Sequence, residues 1–379
     1  MLGPRYFYVI IGGGLAGLQL ARQLTRDVFF KGKKIAVIDS DFSVPIKTWC
    51  FWEKGSGKWD QLLTKSWTKG VFFSSEEKID LELSPYSYKM IKATDYHEAL
   101  KKELEQSGDI VFITDEIQEI DSVTMKAKGI NESYGATHFF DSRVDPSYLE
   151  SKKYTTIFQH FKGWEVTTKD PIFDPEIFTM MDYRIKYKNA TSFTYILPLS
   201  KNKALVEHTF FTPFLTEDKV YDSLLKQYFK KVLKTENYNI ESTETGVIPM
   251  TDFPFEQENT AQITKIGTGG GWVKPSTGYS FKNTEKRISQ IIENIKSGKL
   301  PGENLINKKF RKYDAIFLDV LAQNNQKGET IFTKFYGKNS PQNIFRYLDE
   351  ETSASEDLKI MLSLYSFDFI KSFFRKGLS

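Results

Sequence analysis

The order of apolar and polar positions divides the chain into three stretches. Residues 6–11 (YFYVII) form an apolar run of strand length, followed by three glycines and a helical pattern over 18–24. A second apolar run at 34–38 completes a β-α-β start within the first 48 residues. Tyr96, Leu100 and Leu104 recur at helical spacing within 95–106, and 109–114 (DIVFIT) and 137–141 read as strands. The pattern then becomes β-rich, with strands predicted at 154–158, 163–168, 177–185, 192–198 and 203–211, before a helix at 218–233. A glycine-rich segment at 266–281 follows a short strand at 262–266 and leads into a helix through Lys296. The last stretch is mostly helical, most clearly at 314–323 and 358–374.

This order predicts an α/β protein with a Rossmann-like nucleotide-binding domain, an inserted β-rich substrate domain and a helical C-terminal region. The expected boundaries are 1–48, 90–145 and 243–298 for the discontinuous nucleotide domain. The substrate-binding region takes 49–89 and 146–242, and the helical end takes 299–379. In that end, Leu358, Leu362, Tyr365, Phe369 and Phe373 fall near one helical face, with Lys359, Lys371, Arg375 and Lys376 toward water. Such a helix either packs on the core or lies on a membrane surface.

The first glycine cluster has a mechanism. In Gly12-x-Gly14-x-x-Gly17, Gly12 makes the strand-to-helix turn, Gly14 lets a pyrophosphate approach the backbone, and Gly17 lets the helix pack on the sheet. The helix start offers free N–H groups and a positive dipole end. Asp39, at the end of the second strand, is placed to accept hydrogen bonds from a ribose. The second cluster, Gly267–Gly271, runs to Pro275-Ser276-Thr277-Gly278, where proline suits a first helical turn.

Composition narrows the partners. The net charge is +3 without a basic stripe, which argues against nucleic acid. One cysteine, Cys50, excludes an intrachain disulfide and a structural zinc site, and fits a reducing cytoplasm. The four histidines show no metal-ligand spacing, so no metal is expected. No secretory signal or membrane-length apolar run is evident. Aromatic residues make up 15% of the chain, suited either to core packing or to a tunnel for a large apolar substrate.

Several segments together resemble the flavin-dependent lycopene cyclases: KTWCFW at 47–52, LVEHT at 205–209, GVIPM at 246–250, and GTGGGWVKPSTGY at 267–279. The resemblance implies a glutathione-reductase-like FAD domain and cyclisation of the linear ends of lycopene to β-ionone rings, giving γ- or β-carotene without net redox change. It implies that Gly12, Gly14, Gly17 and Asp39 hold the ADP half of FAD. It places Gly269, Gly270, Gly271, Pro275, Ser276, Thr277 and Gly278 near the flavin. It also implies that reduced FAD is the active form, with NAD(P)H as reductant. Glu207 stands at the family's acidic position; His208 follows it where the family commonly has Glu or Tyr, leaving the second polar partner open.

The residues support Glu207 independently. Leu205, Glu207, Thr209 and Phe211 alternate onto one strand face. A carboxyl there is either exposed at a sheet edge or buried, and burial would keep it protonated at neutral pH, as a general acid must be. Trp49, Phe51, Trp52 and Trp272 are candidates for stabilising a carbocation through their ring faces. Asp182 reads as a local partner of Arg184, and Cys50 as packing. A C40 polyene has to come from a bilayer, so a cytoplasmic protein peripherally bound to the membrane is expected. The alternatives are an FAD-dependent monooxygenase or reductase acting on an isoprenoid lipid, and a non-catalytic carotenoid or flavin carrier.

Overall fold

The structure, a computed structural model, describes residues 4–44 and 46–376. The chain begins with a parallel sheet whose strands run, in spatial order, Ile263–Lys265, His138–Asp141, Tyr8–Ile11, Ile35–Asp39 and Ile110–Thr114. Tyr8–Ile11 is buried at all four positions, as a central parallel strand covered on both faces must be. On one face Ile10 and Val37 pack with helices Leu15–Arg26, Ala93–Gln106 and Phe281–Lys296. On the other, Val9, Ile11, Ala36 and Ile38 pack with Ile117, Ala127 and Tyr134 of a three-stranded antiparallel sheet. This is the Rossmann-like layer arrangement predicted above.

A seven-stranded sheet forms the second half of the molecule. Its order is Tyr238–Thr251, Thr156–Thr168, Lys203–Thr212, Ser192–Pro198, Ile177–Asp182, Lys69–Phe73 and Lys78–Glu82. Every pair is antiparallel except Ile177–Asp182 with Lys69–Phe73. Its back face packs on helix Asp218–Lys231 through Val166, Val206, Phe210, Leu225 and Phe229. Its front face shares a core with a small sheet of Thr48–Lys54, Tyr86–Lys92 and Lys65–Trp67 and with the C-terminal helices.

Four details depart from the sequence reading. The strands expected at 154–158 and 163–168 are one strand, Thr156–Thr168, because Gly163 pairs with Glu207 on one side and Glu244 on the other. The helix after the second glycine cluster starts at Phe281 with Ser280 as its N-cap. Residues 275–278 therefore form a turn instead of a helix start, closed by Gly278 N–H donating to the Lys274 carbonyl at 2.8 Å. The helical pattern over 358–374 is divided between Ala354–Ser363, opened by a capping box of Ser353 and Glu356, and Phe367–Lys376. Finally, the 242/243 boundary lies inside strand Tyr238–Thr251, so the large sheet continues nine residues past it. The ends of the outermost expected domains, at 1–3 and 377–379, lie outside the described residues.

The C-terminal helices are joined to the second glycine segment by buried charge. Lys274 Nζ lies 2.9 Å from Asp314 and 3.4 Å from Glu350, with Lys274 and Asp314 almost wholly buried. Helix Lys308–Gln323 carries Asp314, and its neighbour Gly328–Lys338 contributes Phe332, Phe335 and Tyr336 to the front-face core.

Candidate active site

The glycine turn at the chain start is built by backbone needs. Gly12 holds φ +104°, a left-handed conformation open to glycine. Its N–H donates to Ile38 O at 2.7 Å, tying the turn to the second strand. A Cβ on Gly17 would overlap the Gly12 carbonyl, so that glycine lets helix Leu15–Arg26 cross close to the strand. Above Gly14 there is open space, with no atom within 4 Å of an added Cβ. The helix has no side-chain cap, which leaves its first N–H groups facing that space. Asp39 Oδ2 accepts from Gly13 N–H at 2.6 Å and faces the same cavity.

That cavity, of about 550 Å³, extends from Gly13, Gly14, Gly17 and Asp39 through Thr277 and Gly278 to Glu207. Of the second glycine segment, Gly267, Thr268, Val273, Thr277, Gly278 and Tyr279 line it. Gly269, Gly270, Gly271, Pro275 and Ser276 do not. Gly269 and Gly270 instead allow close approach to the carbonyls of Arg143 and Lys265. Thr277 Oγ1 and Gln159 Oε1 are buried beside the cavity without a hydrogen-bond partner among the described residues. Orphan polar groups beside open space above an uncapped helix start fit a bound dinucleotide.

At the far end the front face of the large sheet supplies the chemistry. Glu207 is only 7% exposed and Glu244 5%. The register sets both opposite Gly163, one strand to each side, so the two carboxyl side chains meet over a residue with no side chain. An added Cβ at Gly163 would stand 3.3 Å from Glu207 Cβ and 3.2 Å from Glu244 Cγ. Thr209 Oγ1 donates to Glu207 at 2.6 Å, and Thr48 Oγ1 donates to Glu244 at 2.8 Å. Burial pushes the Glu207 carboxyl well above the usual carboxylate range, and the Glu244 charge adds to it. Burial raises Glu244 as well, while the Thr48 hydroxyl pulls it back. The two carboxyls are joined by a hydrogen bond, which needs a proton on one of them, and burial with the Glu244 charge favours Glu207 as its carrier.

Tyr195 is cross-strand to Glu207 and continues the row. Its hydroxyl donates to Tyr88 at 2.8 Å, and Tyr88 and Tyr279 share a hydrogen bond of 2.7 Å. Cys50 lies against this cluster, its thiol pushed up to about 12 by burial, which leaves it protonated. Phe161, Phe193, Phe211, Met180 and Met181 complete an apolar chamber.

Of the four aromatic candidates, Trp49 lines the cavity. Phe51 stacks on Phe281 at 4.5 Å, and Trp52 stacks on Phe345 at 4.7 Å while its indole N–H donates to Asp349 at 2.8 Å. Trp272 is 1% exposed and does not reach the cavity surface. The ring faces that do reach it include Tyr88, Tyr195, Tyr279 and Phe161. His208 points to the back face, where Thr194 Oγ1 lies 3.2 Å from Nδ1 and burial brings its pKa down to about 3. The polar partners of Glu207 are therefore Thr209 and Glu244. Asp182, itself wholly buried, pairs with the partly exposed Arg184 and accepts from the Tyr228 hydroxyl at 2.5 Å, a structural arrangement. Among the described residues no group of His, Cys, Asp or Glu could hold a metal ion.

Glu244 and the tyrosine cluster were not read from the sequence. Glu244 sits in a polar run (ESTETG) that gives no sign of burial, and the tyrosines come from three distant segments.

Comparison with known proteins agrees with this architecture. No curated protein matches the sequence significantly. Among solved structures, a geranylgeranyl bacteriochlorophyll reductase-like protein from Thermoplasma acidophilum is similar over 98% of both chains, with a TM-score of 0.60 at 12% identity. A flavoprotein/dehydrogenase from Cytophaga hutchinsonii has a TM-score of 0.60 at 12% identity, covering 99% of this chain and 100% of its own. A flavin-dependent brominase has 0.58 at 14% identity, covering 99% and 98%. At these identities the likeness shows a common fold. The model of the family described as lycopene cyclase protein matches residues 8–374, nearly the whole length, and the chain belongs to that family.

Proposed function

We propose that this protein is an FAD-dependent lycopene β-cyclase that closes the linear ends of lycopene into β-ionone rings by acid-initiated cyclisation. One observation carries the reading: Glu207, buried and with its carboxyl raised well above the usual carboxylate range by that burial, borders an apolar chamber continuous with the space above the glycine turn. Gly12, Gly14, Gly17 and the first turn of helix Leu15–Arg26 would hold the pyrophosphate, with Asp39 at the adenosine ribose. Thr277 and Gly278 would meet the flavin end. FAD held there and reduced by NAD(P)H would supply negative charge to the chamber.

Glu207 donates its proton to the terminal double bond of the substrate. The neighbouring double bond closes on the resulting tertiary cation, and loss of a proton forms the ring alkene. An alkene is a poor base, so the chamber has to favour the cation as well. Tyr88, Tyr195, Tyr279 and Trp49 present ring faces or edges to the chamber, and a desolvated face contributes ~2 kcal/mol or more. The apolar walls keep water from trapping the cation.

The substrate enters from a bilayer in this reading. Leu358, Met361, Leu362, Phe367, Phe373 and Phe374 on the two last helices and Tyr365 between them are exposed, beside exposed Lys359 and Lys371. No helix among the described residues is long and apolar enough to cross a membrane, which suits peripheral attachment. Phe369 packs on Phe317, and Phe317 on Phe332 of the chamber wall, which links that surface to the site.

The deciding experiment incubates the protein with lycopene in liposomes, FAD and NADPH, in parallel with and without oxygen, then resolves pigments by chromatography. Cyclised product without stoichiometric NADPH consumption is expected. Oxygen-dependent product with one NADPH consumed per turnover would replace the reading with a monooxygenase.

A further inference from the structure

Glu244 has a position that the donation of a proton by Glu207 does not by itself require. It shares the front-face row with Glu207 across Gly163, and both carboxyls line the chamber. Glu244 also lines a second, smaller cavity of about 30 Å³ with Thr48, Lys92, Glu165 and Ser242. That volume has room for about one water molecule, and its walls mix these polar side chains with Ile46 and Leu205. Glu244 thus stands between the reaction chamber and a small pocket whose wall includes Ile46, a side chain 53% exposed.

We propose that Glu244 is the base that takes the proton lost at ring closure and returns it to Glu207. The proposal rests on the acid-cyclisation reading above. The balance is complete without an oxidant or reductant. The Glu207 O–H bond breaks as a C–H bond forms at the terminal alkene carbon, leaving Glu207 a carboxylate. The π pair of the neighbouring alkene forms the ring C–C bond. A C–H bond next to the new cation breaks, its electron pair becomes the ring double bond, and the proton passes to a Glu244 oxygen. Transfer across the Glu207–Glu244 hydrogen bond then restores the starting pair.

The surroundings of each carboxyl suit this exchange. Glu207 faces Thr209, Tyr195, Cys50 and Tyr279, which are neutral hydroxyls and a thiol. Glu244 faces Thr48, with Glu165 and Lys92 beyond. Lys92 is held 2.7 Å from Glu165, and Lys203 contacts the other Glu165 oxygen at 2.7 Å, so no cation bonds directly to the pair. A structural carboxyl pair with nothing to transfer would be better replaced by a glutamine, because a buried charge costs more than a buried amide.

The test uses the full chain in two measurements. In the first, glutamate carboxyls are labelled with ¹³C and titrated by NMR without substrate, in the wild type and in Glu244→Gln. The expected result is that the Glu207 carboxyl ionises at lower pH in the variant, with at least a tenfold change in its acid constant. An unchanged Glu207 titration would overturn the proposal. In the second, turnover on lycopene vesicles is followed against pH. Glu244→Gln is expected to lose roughly 10²-fold in kcat, a loss of the size expected for a missing general base. KM should hold, the alkaline limb should move to lower pH, and Glu244→Asp should recover part of the rate. Equal turnover and an equal pH profile in Glu244→Gln would overturn the proton return while leaving the cyclase reading intact. No cyclised product from the wild type would overturn both.

Discussion

The two faces of the large sheet carry buried polar side chains to opposite ends. On the back face His208 and His160 are fully buried against helix Asp218–Lys231, with His160 hydrogen-bonded to Tyr221 and, at 2.8 Å, to Thr212. On the front face Glu207 and Glu244 are nearly as buried, yet they border open space. Burial disfavours charge on both faces: the His160 pKa comes down to about 4 and that of His208 to about 3, while Glu207 is raised well above the carboxylate range and leaves the pair's negative charge to Glu244. A neutral group enclosed by side chains holds the fold together. A neutral acid facing a cavity holds a proton available to whatever enters. Neighbouring residues of one strand, Glu207 and His208, are thus separated in role by which way the pleat points.

The largest expected effect breaks the comparison at this pair. Glu207→Gln should lower kcat for cyclisation by about 10²–10⁴-fold, as removal of a general acid does. His208→Gln should leave the rate within about threefold and instead lower the melting temperature. A single series of turnover assays and thermal melts on both variants checks this, and equal rate losses would collapse the distinction between the faces.

Gly163→Ala is the next test. Its Cβ would press on Leu205 at 3.0 Å and stand between the two carboxyls. Overpacking of that kind costs about 1–3 kcal/mol of stability. The front-face rate should fall with it, and the back-face His208 titration, followed by NMR, should not move.

The smallest effect is a difference in slope. The raised carboxyl pKa values mean that the folded chain binds more protons than the unfolded one above the ordinary glutamate range. Their contribution is therefore full below pH ~4.5 and is lost as pH rises toward the folded pKa values. The depressed histidines act in the opposite sense: their contribution is full above pH ~6.5 and is lost as pH falls toward 4 and 3. Denaturant unfolding of Glu207→Gln should show a gain over wild type at pH 8 that shrinks toward pH 4.5, of the order of 1 kcal/mol. A gain that grew toward acid would contradict the assignment.

How much of this was legible in the sequence depends on whether the signal was local. The β-α-β start, its glycines and Asp39 lie within about 30 consecutive residues, and each has a backbone reason to be there. Glu207 was legible because its apolar neighbours alternate on one strand. Glu244 was not, because its burial comes from Thr156–Thr168 and Thr48–Lys54, strands far away in the sequence. Strand Thr48–Lys54 shows the same limit. Its alternation is clear, but both sides are covered: Phe51 packs toward the helices and Trp52 toward the C-terminal core. The pattern alone could not say which aromatic side chain faces the chamber. The split between the last two helices escaped because residues 364–366 keep an apolar periodicity across the break.

The Lys274 ion pair has a consequence for how such a protein is inherited. An ammonium sealed 2.9 Å from Asp314 has no water to fall back on if its partner is lost. The helical end is therefore no interchangeable appendage: a recombination that swapped it for an unrelated tail would leave an orphan charge under the glycine segment. The two parts have to be passed on together, and change at one has to be answered at the other.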